Sequence, residues 1–362
     1  MTDADEHGGG TLDRRALLAG GAGALVAAGV VGSLADAAKA GGQPGTRRSD
    51  GNAVLETVTG PLQGADVVWA LEHEHLFVDF DGAKDPSYQD VDWADVTGAG
   101  VNSVLELIAQ GVNLFVDYTP AGVGRNARLI RDVSRQTGMN IVCASGIYRA
   151  SFGIPPEFRD FDADQLADHF VRELTLGVEG TSIRAGFIKI AVDNDGPKPA
   201  DEPVYRGAVR AALRTGCTIG MHAPVVAALQ AALRILESEG IDLTRFVWAH
   251  AEYDGTFADY RALAERGAYI SFDAVTVGGV PEEPVLLDLI QQFLDAGLGD
   301  RVLLSTDSTI YVKPQSSQYG FQNTYLFRVF KPKLDERFGE RVSRLILRDN
   351  VVAAYRRGAN VP

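Results

Sequence analysis

Four histidines, a lysine and an aspartate stand where a metal centre would need them. His73 and His75 form an H-x-H pair, and Lys189, His222, His250 and Asp307 follow singly, each at the C-terminal end of an apolar, β-rich run. Alternate residues of a strand share a face, so the two histidines project together. Glu72 and Glu74 then turn toward the helix layer, where a buried carboxylate needs a cationic partner. Imidazoles and carboxylates are ligands for divalent metals, and six such groups converging at one end of a sheet point to a two-metal hydrolase site.

Lys189 is the informative member of the set. In the run 185–191, Ile188 and Ile190 take the outer face and leave the lysine pointing inward. Burial depresses an ammonium pKa by as much as ~3 to 5 units, and the neutral amine can capture carbon dioxide as a carbamate able to bridge two cations. The competing arrangement is a salt bridge from Lys189 to an inward-facing carboxylate such as Asp117. His222 and His250 each close a strand and open a loop. Asp307 ends the last strand, where it can hold a metal and accept a proton from an attacking water. His169, on a helical stretch among Asp162, Asp164 and Asp168, reads as a solvated surface residue, and His7 belongs to a removed N-terminal segment.

The elements that must hold these residues are eight β-rich runs, at 67–70, 113–118, 140–145, 185–191, 217–221, 246–249, 268–273 and 302–306. Between them, apolar residues such as Val101, Val104, Leu105 and Ile108 recur at helical spacing. Eight βα units in series predict an α/β fold, a single (β/α)8 TIM barrel over residues 54–362. Residues 54–66 read as a short N-terminal β-hairpin turning at Gly60 and Pro61 and capping the bottom of the barrel. Cys143 and Cys217, the only cysteines, fall two strand spacings apart, about 9.6 Å against a disulfide limit of ~7 Å, so both are expected as buried free thiols. The aromatic stretch 308–340, with Tyr311, Tyr319, Phe321, Tyr325, Phe327 and Phe330, is expected as an irregular lid beside Phe152, Pro155 and Pro156. It equally suits the interface of a homodimer.

A formal charge of −14 over 362 residues repels phosphate backbones and anionic lipid surfaces, which leaves no nucleic-acid partner and favours a neutral small-molecule substrate. Residues 1–40 have a different character: Arg14 and Arg15, an uncharged run over 16–34, then Ala38, Lys39 and Ala40. That pattern is expected of a twin-arginine signal peptide, followed by a disordered linker at 41–53. It predicts an exported protein, extracellular or in the cell envelope, with no stable membrane insertion after cleavage.

Longer strings narrow the reading. They are Val58-Thr-Gly-Pro61 leading into Glu72-His-Glu-His-Leu-Phe77, then Val116-Asp-Tyr-Thr-Pro120 with Gly124-Arg-Asn126, and Arg184-Ala-Gly-Phe-Ile-Lys-Ile-Ala191. From about Thr57 to the C-terminus the chain resembles the phosphotriesterase family of the amidohydrolase superfamily. The resemblance implies that His73, His75 and Asp307 hold the more buried of two divalent metals and His222 and His250 the more exposed one. Lys189, carboxylated, would bridge them together with a hydroxide. Zinc is the expected metal, although iron, cobalt and manganese accept the same ligands. Tyr253 and Ala274 stand where family members often carry an acidic residue and a histidine or arginine, while Asp273 is kept. Tyr148, in Gly146-Ile-Tyr-Arg149, matches a tyrosine of the lactonase-type members. The resemblance thus favours attack by the bridging hydroxide on a carboxylic ester or lactone carbonyl, with Asp307, Lys189 and Tyr148 as catalytic residues. Phosphotriester hydrolysis, amide or cyclic-imide hydrolysis, and a non-catalytic metal-binding barrel are the alternatives.

Overall fold

Strand β1 (Val54–Thr57) pairs antiparallel with β2 (Gly60–Gln63) before the chain enters a parallel sheet. The computed structural model describes residues 53–314 and 323–361. The expected signal segment, the linker apart from Ala53, and Tyr319 and Phe321 therefore lie outside the described residues. The hairpin turns at Val58 and Thr59 rather than at Gly60 and Pro61, because Thr57 pairs directly with Gly60.

Strands and helices then alternate. In order they are β3 (Ala70–Asp79), α1 (Trp93–Ile108), β4 (Leu114–Asp117), α2 (Ala127–Thr137), β5 (Asn140–Ser145), α3 (Ala163–Thr175), β6 (Phe187–Ala191), α4 (Glu202–Thr215) and β7 (Ile219–His222). After these come α5 (Val226–Ser238), β8 (Phe246–Ala249), α6 (Phe257–Ala264), β9 (Tyr269–Phe272), α7 (Glu283–Asp295), β10 (Val302–Leu304) and β11 (Thr309–Lys313). The order across the sheet is β10-β9-β8-β7-β6-β5-β4-β3-β11, with every neighbour parallel. β10 and β11 are two halves of one interrupted strand: the first pairs with β9, the second with β3. The ring is thereby closed into the expected (β/α)8 barrel.

Local signals set the helix ends. Asn126 caps α2 by accepting from Leu129 N at 3.0 Å, and Asp162 with Gln165 forms a capping box on α3. Side-chain alternation divides the core in two. Phe115, Ile141, Ile188 and Trp248 pack outward against the helices, while Leu114, Val116, Tyr118, Phe187, Val247 and Leu303 fill the barrel. Leu55 of the hairpin and Tyr355 of the C-terminal helix (Asn350–Tyr355) join the inner set and close its lower end. Both cysteines are buried and free. Among the described residues no helix is long and apolar enough to cross a membrane.

Two boundaries differ from expectation. The first barrel strand starts at Ala70 and runs to Asp79, so His73 and His75 lie inside it rather than at its end. Polar Glu72 and Glu74 break the apolar pattern there, yet the backbone continues its ladder. The described part of the aromatic stretch after residue 322 is no irregular lid either. Leu326, Phe327 and Phe330 are buried on a π-helical turn, Leu326–Phe330, that continues into α8 (Lys331–Phe338), and they pack into the outer core.

Candidate metal centre

The register of β3 on β4 slips between Leu71 and Glu74. This irregularity corrects the expected facing of Glu72. Its carboxylate accepts from Tyr355 Oη at 2.7 Å and from Ser271 Oγ, partners at the barrel's inner end rather than in the helix layer. Glu74 accepts from Ser305 Oγ at 2.7 Å, Thr306 N at 2.9 Å and Ser308 N at 3.0 Å. Hydroxyls and amides take the place of the anticipated cations. Burial pushes the Glu72 carboxyl up to about 7, aided by the charge of Asp273, and the Glu74 carboxyl up to about 8.

His73 and His250 are oriented by one carboxylate. Asp273 lies 2.7 Å from His73 Nδ1 through one oxygen and 2.7 Å from His250 Nδ1 through the other, and it accepts from His250 N at 3.0 Å. His75 Nδ1 lies 2.7 Å from Thr119 Oγ1. In all three rings Nδ1 is engaged, which leaves Nε2 as the free lone pair, the arrangement typical of metal-bound histidines. His75 Nε2 and His73 Nε2 lie 3.1 and 3.5 Å from Asp307 Oδ1, and the buried His73 Nε2 makes no hydrogen bond. His73, His250 and Asp273 also cluster closely enough to hold an ion. Both Asp273 oxygens are already committed to Nδ1 atoms, however, so Asp273 orients the rings from behind. The group His73, His75 and Asp307 is the one with free donors.

Lys189 is 1% exposed, its Nζ has no hydrogen-bond partner, and it sits 4.1 Å from the Tyr118 ring centroid. The alternative ion pair to Asp117 is absent: Asp117 accepts from Leu76 N and Thr119 N, both at 3.0 Å. Burial lowers the Lys189 ammonium to about 7 against the opposing charges of Asp273 and Asp307. Gly146 holds this backbone in place, since a Cβ there, at φ +97°, would stand 2.0 Å from Lys189 O. Burial and the nearby Lys189 charge lower His73 to about 3, and burial lowers His222 well below the usual imidazole range. Neutral imidazoles are the state that binds metal.

His222 is partly exposed, as are His75 and Asp307. Its ring centroid is 4.3 Å from that of His250, and Tyr148 Oη lies 3.4 Å from its Nδ1. Asp307 does not end a regular strand. It occupies the break between β10 and β11 with a left-handed backbone, φ +44°, and donates its amide to His73 O at 3.1 Å. Burial would raise its carboxyl, but the charges of His73 and His250 hold it below the usual range. The structure thus gathers His73, His75, His250 and Asp307, sets His222 edge-on to His250, and aims Lys189 into the same interior. Imidazoles, a carboxylate and an unpartnered buried amine are donors that fit a pair of divalent cations.

Residues 53–354 match the sequence model of the phosphotriesterase family. The chain belongs to this family. Its enzymes are binuclear metal hydrolases, and the chain is a hydrolase of the phosphotriesterase type. A phosphotriesterase homology protein of Mycobacterium tuberculosis is 33% identical over 71% of the chain and 81% of its own length. An aryldialkylphosphatase of Saccharolobus solfataricus is 26% identical over 83% and 91%. Among solved structures, a mutant PTE-like lactonase of Deinococcus radiodurans superposes with a TM-score of 0.73 at 27% identity, covering 83% of the chain and 99% of its own.

Sequence reasoning left two features of this phosphotriesterase-family centre unassigned. Asp273 closes β9 as Asp307 follows β10, a positional echo that could have flagged it. Glu252, beside the exposed Tyr253, is a buried carboxyl that burial and the Asp273 charge push well above the usual range. His169 needs correction: it is half-buried, 3.2 Å from Glu173 Oε1 and packed on Phe158 at 4.6 Å, because α3 turns that face inward.

Proposed function

We propose that the chain hydrolyses carboxylic esters or lactones with two divalent metals, zinc foremost. His73, His75 and Asp307 would hold one metal and His222 and His250 the other, with Lys189 as a carbamate between them. Such a pair polarises a carbonyl oxygen and makes a water acidic enough to ionise near neutral pH. The observation that carries the reading is the coexistence of two buried donors without hydrogen bonds, His73 Nε2 and Lys189 Nζ, beside imidazoles kept neutral.

The remaining work falls to the chain's own side chains. Asp273 fixes the tautomers of His73 and His250. Asp307, ionised at neutral pH, accepts a proton at its carboxylate. Tyr148 supports an ester or lactone over other substrates: a phenol beside His222 can donate to an acyl oxygen, and its ring stands edge-on to Phe152 at 5.2 Å, an apolar wall for an acyl chain. Phosphotriester hydrolysis is the second reading, favoured by the likeness to an aryldialkylphosphatase. A neutral substrate, export through residues 1–40 as a twin-arginine signal, and a homodimeric state without nucleic-acid partners complete the proposal. The net charge supports the first of these.

Comparison of kcat/KM for an aliphatic lactone and an aryl dialkyl phosphate on zinc-loaded protein tests the assignment. The lactone is expected to lead by about tenfold or more. A reversed ratio would transfer the assignment to phosphotriesters. Lys189→Ala should lose metal and activity together, and a variant retaining both would remove Lys189 from its proposed role.

A further inference from the structure

A cavity of about 780 Å3 opens on the outside of the barrel between α2, α3 and the loop at 153–158. None of the six residues proposed to hold metal lines it. Its size lies in the range of small-molecule sites.

The floor is a completed ion-pair network. Arg125, 5% exposed, donates Nη1 and Nη2 to Glu173 at 3.0 and 2.6 Å and Nε to Glu179 at 2.9 Å. Ser145 Oγ donates to Glu173 at 2.6 Å, and Glu179 accepts from Ala127 N at 2.8 Å. Both carboxylates share the one Arg125 guanidinium, and each is also held by a neutral donor.

The rim differs. Arg128 and Arg172 line the same cavity, are exposed, and have no carboxylate within 4.0 Å among the described residues. Arg128 lies in the first turn of α2, where the helix dipole disfavours a cation, and that turn has no acidic residue to offset it. Glu157 is the one lining carboxylate without an ion pair among the described residues, so the rim sets two guanidiniums against one carboxylate, over a floor in which Glu173 and Glu179 share Arg125. Pro155, Phe158 and Leu176 add an apolar wall. Leu176 is 67% exposed, an uncovered apolar surface beside the cations.

We propose that this cleft binds a small amphipathic monocarboxylate, its anionic group between Arg128 and Arg172 and its hydrocarbon body against Phe158 and Leu176. Guanidinium groups favour planar carboxylates, and the apolar wall distinguishes such a ligand from inorganic anions. The occupant would rest on the back of the segment that presents Tyr148: Ala121, in the cavity wall, bridges to Ile147, and Pro155 and Phe158 follow in the same loop. The inference does not depend on the reaction catalysed.

Isothermal titration of the metal-loaded full chain with octanoate, and with octanamide as its neutral counterpart, tests it. A carboxylate can also bind at the metals, so the decisive quantity is the binding removed by substitutions in the cleft. The Arg128→Gln/Arg172→Gln double substitution should weaken one octanoate-binding event about tenfold or more. Inhibition of turnover through the metals should stay as it was. Leu176→Glu, which sets a carboxylate on the wall, should weaken the same event. Octanamide should give no such event in the unsubstituted protein. Identical octanoate isotherms in the unsubstituted and doubly substituted proteins, or equal binding of octanamide and octanoate, would overturn the proposal.

Discussion

Replacing Asp273 by asparagine isolates how the imidazoles are held. Asp273 meets the Nδ1 atoms of His73 and His250 on separate oxygens, each at 2.7 Å, and is fully buried. Asparagine keeps the shape but offers one acceptor oxygen and one NH2 group. One ring retains its acceptor and the other confronts a donor. Relief of that clash moves the ring hydrogen from Nδ1 to Nε2, the nitrogen proposed to bind metal. A hydrogen bond to a charged group is worth about 1.5 to 3 kcal/mol, or roughly ten- to a hundredfold in an equilibrium constant. Loss of a group that orients a metal-bound histidine weakens metal binding by a similar ~10 to 100-fold. Competition for zinc against a chromophoric chelator should therefore show weakened binding in that range, with kcat falling at subsaturating metal and recovering in excess zinc. Asp273→Asn protein that binds both metals with unchanged affinity would refute this account of the tautomers.

Three further outcomes are expected. Burial would raise the Glu173 carboxyl, but Arg125 and His169 hold it at about 2 against 4.5 for an unperturbed glutamate. A lowered carboxyl contributes stability that is present above 4.5 and lost as pH falls through about 2; at ~1.4 kcal/mol per unit the contribution is about 3 kcal/mol. Glu173→Gln should lose about that much at pH 7 and flatten the acid limb of stability in urea titrations, and an unchanged acid limb would contradict the pairing. Phe330→Ala, at a fully buried ring, should cost about 3 to 5 kcal/mol in denaturant melts while leaving KM intact; a lid residue would show the converse. Gly146→Ala should displace the Lys189 backbone and lower metal content although Gly146 offers no ligand, and a soluble variant with full metal content would count against that contact.

What could be read from the chain depended on whether its cause was local. The apolar runs of β4, β5 and β8 announce themselves by composition, and the reading of an eightfold βα series needed nothing else. The end of β3 was misplaced because Glu72 and Glu74 look like the end of an apolar run. Their burial depends on Ser271, Ser305, Thr306 and Tyr355, hydroxyl groups 199 to 283 residues away in sequence. The same distance hid the orienting role of Asp273, which is defined by His73 on the opposite side of the closing strand. Phe327 and Phe330 were mistaken for lid residues because aromatic content alone does not distinguish a loop from a helix face turned inward. His169 misled in the opposite way: its acidic neighbours along the helix are exposed, while its own face meets Phe158.

The interrupted eighth strand imposes an order on biogenesis. Its first half is hydrogen-bonded to β9, its second half to β3, and Asp307 occupies the kink between them. A ribosome-bound chain that has emerged only as far as β9 has His73, His75, Lys189, His222 and His250 but an open cylinder and no terminal carboxylate. A divalent cation arriving at that stage would meet an incomplete version of the proposed donor set. Closure of the ring and completion of the proposed donor set are one event, so the proposed centre is complete only once β11 has joined β3.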